Sequence, residues 1–188
     1  MGKNIFFIYI TLVFWLVVLF YWAIEAKIKS QSKFWFEITT LVKLMFSFLI
    51  IYLPLLIGGW FAKELFLNND WANVTGVVFC FLGISFAIWA RNKLGRNWSG
   101  KIMIQKEHFL IKEGPYGFVR HPQYTGLLLA LLGTAFVLGQ TFGFIWCLFL
   151  VIGLIVKSKQ EEKILTNEFP NEYPDYKKRT KMLIPFVF

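Results

Sequence analysis

Residues 122–156, PQYTGLLLALLGTAFVLGQTFGFIWCLFLVIGLIV, run for 35 positions without a charged side chain. An α-helix crosses the hydrocarbon core of a bilayer in about 20 residues, so this stretch is too long for one span and slightly short for two. Gly139, Gln140 and Thr141 lie near its middle and favour a turn. The stretch therefore predicts two membrane helices in a tight hairpin whose ends return to the same membrane face.

Three shorter uncharged runs precede this stretch, and each has the length of a single span: Asn4–Ile24, Leu44–Ala62 and Trp71–Ala90. The first run is too long for the core of a signal peptide and has no small-residue cleavage site after it, so we expect it to be retained. The chain is 57% hydrophobic and 16% charged, whereas soluble domains hold about 45–50% and 25%. These values exclude a soluble globule and predict an all-α integral membrane bundle of five transmembrane helices.

The basic residues test this layout, because cytoplasmic loops are enriched in Lys and Arg. With five spans, 18 of the 20 basic residues fall on one side, and only Lys3 and Lys63 fall on the other. We therefore expect the N-terminus outside and the long loop and the C-terminus in the cytoplasm. The net charge of +9 is explained by topology and lipid contact, so no nucleic-acid partner is predicted.

The polar residues of the second half concentrate in two blocks, 91–121 and 157–181, which the hairpin brings together. We therefore predict a single domain, 1–188, with three N-terminal helices in 1–90 and a core that carries the functional site in 91–188. The core consists of the hairpin 122–156 and a C-terminal lid, 157–188, and its pocket is built by the 91–121 loop and the lid. Cys80 and Cys147 lie inside apolar runs, which argues against a disulfide framework and a metal site.

The segment HFLIKEGPYGFVRHPQYTG, residues 108–126, contains closely spaced turn signals. Pro122 disfavours helical geometry at His121 and suits the first turn of the following helix. Arg120, His121 and Tyr124 are thus predicted at a helix N-terminus, where free N–H groups can hold an anion such as a cofactor carboxylate. Interfacial anchoring by the same arginine and tyrosine is the alternative interpretation.

The ordered motifs of this region resemble the isoprenylcysteine carboxyl methyltransferase family of membrane enzymes, which use S-adenosylmethionine. R-H-P-x-Y alone is weak, since phospholipid N-methyltransferases and sterol reductases carry related strings, but the ordered set is specific. The resemblance covers about residues 90–188. Its motifs are LGRNWSG at 94–100, HFLI at 108–111, GPY at 114–116, RHPQY at 120–124, EEKIL at 161–165, FPNEY at 169–173 and Pro185.

The resemblance implies that residues 91–188 are a catalytic core whose pocket, built by the 91–121 loop and the lid 157–188, binds the cofactor. It also implies roles for individual residues. Those expected to bind the cofactor are His108, Phe109, Leu110, Ile111, Tyr116, His121, Pro122, Gln123, Tyr124 and Glu161. The catalytic set is Arg120, Lys157, Glu161 and Glu162, with Glu161 near the amino group of the methionine moiety and Glu162 supporting it. The family has an arginine where this chain has Lys157, and lysine lacks the planar two-pronged donor that would orient a substrate carboxylate.

The implied reaction is methyl transfer to a lipophilic or prenylated acid at the membrane face, with S-adenosylhomocysteine as the product. An ionised carboxylate needs no general base, whereas for an amine acceptor His121, Glu161 or Glu162 would have to take a proton. The tail is expected to act as a lid, with Phe169, Tyr173 and Tyr176 on one face of a short helix.

Other functions stay open at this stage. A methyltransferase for a phospholipid or another small amine or thiol is one alternative. A nicotinamide-dependent sterol-type reductase and a non-catalytic membrane adaptor are the others. Membrane lipids are expected partners in every case.

Overall fold

The computed structural model of the chain describes residues 2–29, 50, 52–53, 70–94 and 110–185. The regular structure in these ranges is helical. The α-helices are α1 (Gly2–Lys29), α2 (Asp70–Leu94), α3 (Pro122–Leu138), α4 (Thr141–Glu168) and α5 (Tyr173–Arg179), and a 3₁₀ helix spans Gly114–Gly117. The predicted spans 4–24 and 71–90 are thus helical, whereas the predicted span 44–62 lies outside the described residues except for 50, 52 and 53.

Helices α1, α2 and α4 are long and apolar enough to cross a bilayer, while α3 is a shorter apolar helix of 17 residues. Large apolar side chains on these helices point outward: Phe6, Phe20 and Phe149 are 63%, 69% and 63% exposed. Exposure of this much aromatic surface to water would be unfavourable, whereas contact of the same surface with lipid is not. The chain is therefore a multi-pass membrane protein.

The uncharged stretch 122–156 breaks where the sequence predicts. Helix α3 ends at Leu138, Gly139 adopts the left-handed conformation with φ 64°, and α4 begins at Thr141. Glycine suits this position because a Cβ atom would strain it. Phe136 contacts Phe144 near the turn, with ring centroids 5.4 Å apart, and Tyr124 reaches Glu161 at the other end. The two helices therefore run antiparallel.

Helices α2 and α3 approach each other closely through small residues. A Cβ atom on Gly76 would lie 2.6 Å from the carbonyl oxygen of Gly133, and one on Gly83 would lie 2.5 Å from the backbone nitrogen of Ala130. These glycines belong to two stripes of small residues in the sequence, Gly76, Cys80, Gly83 and Ala87 on α2, and Gly126, Ala130 and Gly133 on α3. Such stripes let helices pack closely in lipid.

Gly83→Ala is expected to destabilise the protein by about 2 kcal/mol, because the added methyl group forces the backbones of α2 and α3 apart. The two cysteines of the chain, Cys80 and Cys147, are buried and free, so a thiol-reactive dye reports unfolding on heating. Gly153→Ala is the control, since a Cβ atom there meets nothing within 4 Å. Equal unfolding temperatures for the two variants would contradict the close α2–α3 contact.

Helix α1 packs against α2 and α3 through one buried face. Trp15, Val18 and Trp22 are buried on this face, at spacings of three and four residues. The Trp15 indole Nε1–H donates to Thr134 Oγ1 of α3 at 2.9 Å. This bond gives the indole a partner where water is absent.

The chain beyond α5 folds back onto the segment that leads into α3. Residues 181–183 run beside 119–125, and Val119 forms an isolated parallel bridge with Lys181. Three hydrogen bonds fix this contact: Arg120 N–H to Lys181 O at 2.8 Å, His121 N–H to Met182 O at 3.1 Å and Thr125 Oγ1 to Leu183 O at 2.6 Å. The C-terminal segment is thereby fastened beside the start of α3.

Candidate active site

The start of α3 organises the polar residues. Pro122 occupies the first turn, where its missing N–H is not needed, and His121 caps the helix with φ −123° and ψ 59°. Because Pro122 disfavours helical geometry before it, the chain turns at His121 and directs the imidazole toward α4. Helix α4 supplies two consecutive acids, Glu161 and Glu162, to the same place.

Glu161 is held by hydrogen bonding and remains accessible. The Tyr124 hydroxyl donates to its Oε1 at 2.6 Å, and His121 Nδ1 lies 3.4 Å from its Oε2. Lys157 Nζ is 3.9 Å from Oε1, one helical turn away. The side chain of Glu161 is still 32% exposed. This carboxylate is therefore oriented and open to a cationic ligand.

Glu162 is enclosed, in contrast to its neighbour. Its side chain is 3% exposed, its Oε1 accepts from Arg120 Nε at 2.6 Å, and its Oε2 pairs with Lys177 Nζ at 2.8 Å. Buried carboxylates persist only when they are paired in this way. Glu162 thus joins α4 to the chain before α3 and to α5, and it has no free face for a ligand.

His121 lies between the two acids. Its Nε2 is 3.6 Å from Glu162 Oε1, and this buried nitrogen has no hydrogen-bond partner among the described residues. The imidazole is parallel to the Tyr124 ring, with centroids 5.7 Å apart. Burial by itself lowers the pKa of His121, but the carboxylates of Glu161 and Glu162 outweigh it and raise the pKa above its ordinary value.

Arg120 fastens the C-terminal segment as well as Glu162. Its guanidinium donates to the carbonyl oxygens of Lys177, at 3.2 Å, and Thr180. The side chain is 8% exposed. A planar guanidinium can serve a carboxylate and two carbonyls at once because its N–H groups form a fixed fork.

Tyr116 lies on the 3₁₀ helix and is buried. Its carbonyl accepts a hydrogen bond from the Tyr176 hydroxyl at 2.7 Å. Burial raises the pKa of both phenols, that of Tyr176 to about 12, so both remain neutral donors. Gly114, with φ 61°, begins this turn against the Lys93 side chain.

The structure brings most of the predicted site residues together. Those in one cluster are Tyr116, Arg120, His121, Pro122, Tyr124, Lys157, Glu161 and Glu162. Gln123 is half-buried, and its amide takes no part in the described hydrogen bonds. Leu110 and Ile111 lie half-buried before the 3₁₀ helix and bring no polar group. His108 and Phe109 lie outside the described residues.

One residue of the cluster was missed from the sequence. The motifs of the sequence assign no role to Lys177, yet it pairs with Glu162. Tyr173, predicted for the aromatic face, is 1% exposed, and its hydroxyl has no hydrogen-bond partner in the described part of the chain. Helix α5 begins at Tyr173, so Phe169 lies outside it, at the end of α4. No sequence signal distinguishes Lys177 from the basic residues that follow it.

The fold and the cluster define a multi-pass helical membrane protein with a cluster of polar side chains at the start of one helix. Residues 75–167 match the model of the isoprenylcysteine carboxyl methyltransferase (ICMT) family. This part of the chain is therefore similar to that family, and the resemblance indicated by the motifs is confirmed.

Named relatives agree with this assignment. The chain is 29% identical over 120 residues to the protein-S-isoprenylcysteine O-methyltransferase of Mus musculus, and 30% identical over 117 residues to that of Saccharomyces cerevisiae. The matched segments are 62% and 61% of this chain, but 42% and 49% of the relatives. The chain thus spans about half the length of these relatives.

A solved structure shows the same fold. It is the eukaryotic intramembrane Ras methyltransferase ICMT, which matches with a TM-score of 0.59 at 21% identity, over 79% of this chain and 53% of the other. At this identity the likeness concerns the fold alone.

Proposed function

We propose that the protein transfers a methyl group from S-adenosylmethionine to a lipophilic acceptor at the cytoplasmic membrane face. Carboxyl O-methylation of an isoprenylcysteine-like acid is the reaction that fits the site best. The observation that carries this proposal is the Glu161 carboxylate, which is oriented by Tyr124 and His121 and remains one-third exposed. The match of residues 75–167 to the family model and the names of the relatives support it.

The cluster fits the methionine end of this donor, which carries one ammonium and one carboxylate. Glu161 would hold the ammonium. The first-turn N–H groups of Gln123 and Tyr124 are available for the carboxylate. Tyr116, Pro122 and the stretch 108–111 would line the adenosine. When bound, the donor supplies an activated methyl group, and the chain supplies orientation and a partly dry pocket.

The charges of the cluster favour an acidic acceptor over an amine. Arg120, Lys157 and Lys177 are cations, whereas Glu161 and Glu162 are the acids among them. An amine acceptor would need a general base, but both carboxylates are engaged with cations. His121 is also a weak candidate, because its raised pKa keeps its proton at higher pH. A carboxylate needs no base and balances the excess positive charge.

We also propose that the four residues predicted to be catalytic have two different roles, contact with the ligands and positioning. Lys157 Nζ lies 5.0 Å from the centre of the Tyr124 ring, and its side chain is 48% exposed. Lys157 would meet the acceptor carboxylate while Glu161 meets the donor. Arg120 and Glu162 are committed to each other and to the C-terminal segment, so they would position the other two rather than touch a ligand.

The topology that we propose has five spans, with α3 and α4 as a hairpin and the N-terminus outside. The site and the C-terminal segment would then face the cytoplasm. The distribution of 18 of 20 basic residues supports this orientation. The chain would be one domain, in which 157–188 closes over the donor as a lid and lipophilic acceptors enter sideways between helices.

Binding and transfer measurements test the proposed function. Titration of the protein in lipid nanodiscs is expected to show saturable binding of S-adenosylhomocysteine and none of NADPH. Labelled S-adenosylmethionine should then methylate a farnesylcysteine analogue but not an aminophospholipid. Binding of NADPH alone would support the reductase alternative, and binding of neither ligand the adaptor. Methylation of the amine would overturn the argument from charge.

A further inference from the structure

Lys177 joins the C-terminal helix to the acid pair. Its Nζ is 2.8 Å from Glu162 Oε2, and its side chain is 50% exposed while that of Glu162 is 3% exposed. The next residue, Lys178, pairs instead with Asp175 of its own helix at 2.9 Å. The two lysines therefore have the same charge and adjacent positions but different partners.

The Lys177 contact continues into the ligand-facing acid through His121. Glu162 Oε1 is 3.6 Å from His121 Nε2, and His121 Nδ1 is 3.4 Å from Glu161 Oε2. His121 is buried between these contacts. A movement of the Glu162 carboxylate therefore changes the position of the imidazole that helps to orient Glu161.

We propose that Lys177 is a positioning residue that couples docking of α5 to binding of the methyl donor. This inference rests on the proposed function for its donor-binding part. Lys177 holds one oxygen of Glu162, and Arg120 holds the other. Without Lys177, the carboxylate can turn toward the unpartnered Nε2 of His121 and draw the imidazole away from Glu161. Both the docked tail and the oriented acid would be lost together.

Such coupling acts in both directions, because two linked equilibria change each other by the same factor. Donor binding should therefore slow the opening of α5, and loosening of α5 should weaken donor binding. The contacts of Arg120 with the C-terminal segment are to backbone carbonyls, so they do not depend on a side chain of α5. The link through Lys177 does depend on its side chain.

Lys177→Met and Lys178→Met form a matched pair for the test, with Lys177→Arg as the rescue variant. Amide hydrogen exchange of residues 173–183 and affinity for S-adenosylhomocysteine are measured on each protein in nanodiscs. In Lys177→Met we expect exchange about tenfold faster without ligand and affinity about tenfold lower. Lys178→Met should stay within about twofold of the parent, and Lys177→Arg should recover most of both effects.

The effect of S-adenosylhomocysteine on amide exchange is the more discriminating measurement. In the parent protein, S-adenosylhomocysteine should slow exchange in 173–183, and in Lys177→Met this protection should largely disappear. Unchanged exchange in Lys177→Met would overturn the docking role. Faster exchange with unchanged affinity would overturn the coupling. If the parent binds no S-adenosylhomocysteine, the proposed function fails, while exchange without ligand still decides the docking role.

Discussion

Glu161→Gln is expected to weaken binding of S-adenosylhomocysteine about 100-fold, equivalent to about 2.7 kcal/mol. The amide keeps the size of the side chain and can still accept from the Tyr124 hydroxyl, which lies 2.6 Å from Oε1. It removes the negative charge that the donor ammonium requires. Calorimetric titration at neutral pH measures the loss directly.

Glu168→Gln provides the control for the change of charge. Glu168 is the last residue of α4, about two turns beyond Glu161 on the same helix. Glu168 forms none of the ion pairs described for the cluster, so its replacement should change the affinity for S-adenosylhomocysteine by less than about twofold. Similar losses in the two variants would show that overall charge, rather than the Glu161 site, determines binding.

The helical layout of the second half could be predicted because membrane-spanning helices are recognised in a sequence as long stretches without charged residues. An uncharged stretch that is too long for one helix must break, and Gly139 can adopt a positive φ without strain. The small-residue stripes of α2 and α3 were predictable for a similar reason, since helices in lipid approach most closely where side chains are small.

The difference in environment between Glu161 and Glu162 could not be predicted from the sequence. Consecutive residues on a helix point about 100° apart, so the two acids have different surroundings, and one can be enclosed while the other is open. Which one is enclosed depends on where Arg120 and α5 lie. The sequence predicted that both acids belong to the site, but tertiary packing decides that Glu162 is enclosed and Glu161 is open.

Lys177 was missed for a related reason. It begins a run of three basic residues in a helix of seven, and such a run is normally solvated or bound to lipid. The orientation of that helix is set by contacts far away in sequence, in which the Arg120 side chain binds the carbonyls of Lys177 and Thr180. No local pattern encodes these contacts.

Arg120→Met is expected to destabilise the protein by about 3–5 kcal/mol, the cost of leaving a buried charge without its partner. Glu162 would retain Lys177 but lose the 2.6 Å contact with Arg120 Nε. The carbonyls of Lys177 and Thr180 would lose a donor as well. Thermal exposure of the buried thiols measures the effect, and we expect the midpoint to fall by about 10 °C.

Lys112→Met tests whether the burial of the Arg120–Glu162 pair is the cause of the large loss of stability. Lys112 pairs with Glu172 at 2.5 Å and thus joins the same two parts of the chain, but both side chains are largely exposed. Water screens such pairs, so we expect a loss below about 1 kcal/mol. The double variant Arg120→Met/Glu162→Leu should regain part of the stability of Arg120→Met, because it also removes the stranded carboxylate. If Lys112→Met costs as much as Arg120→Met, or if the double variant regains nothing, the buried pair is not what holds the C-terminal segment beside α3.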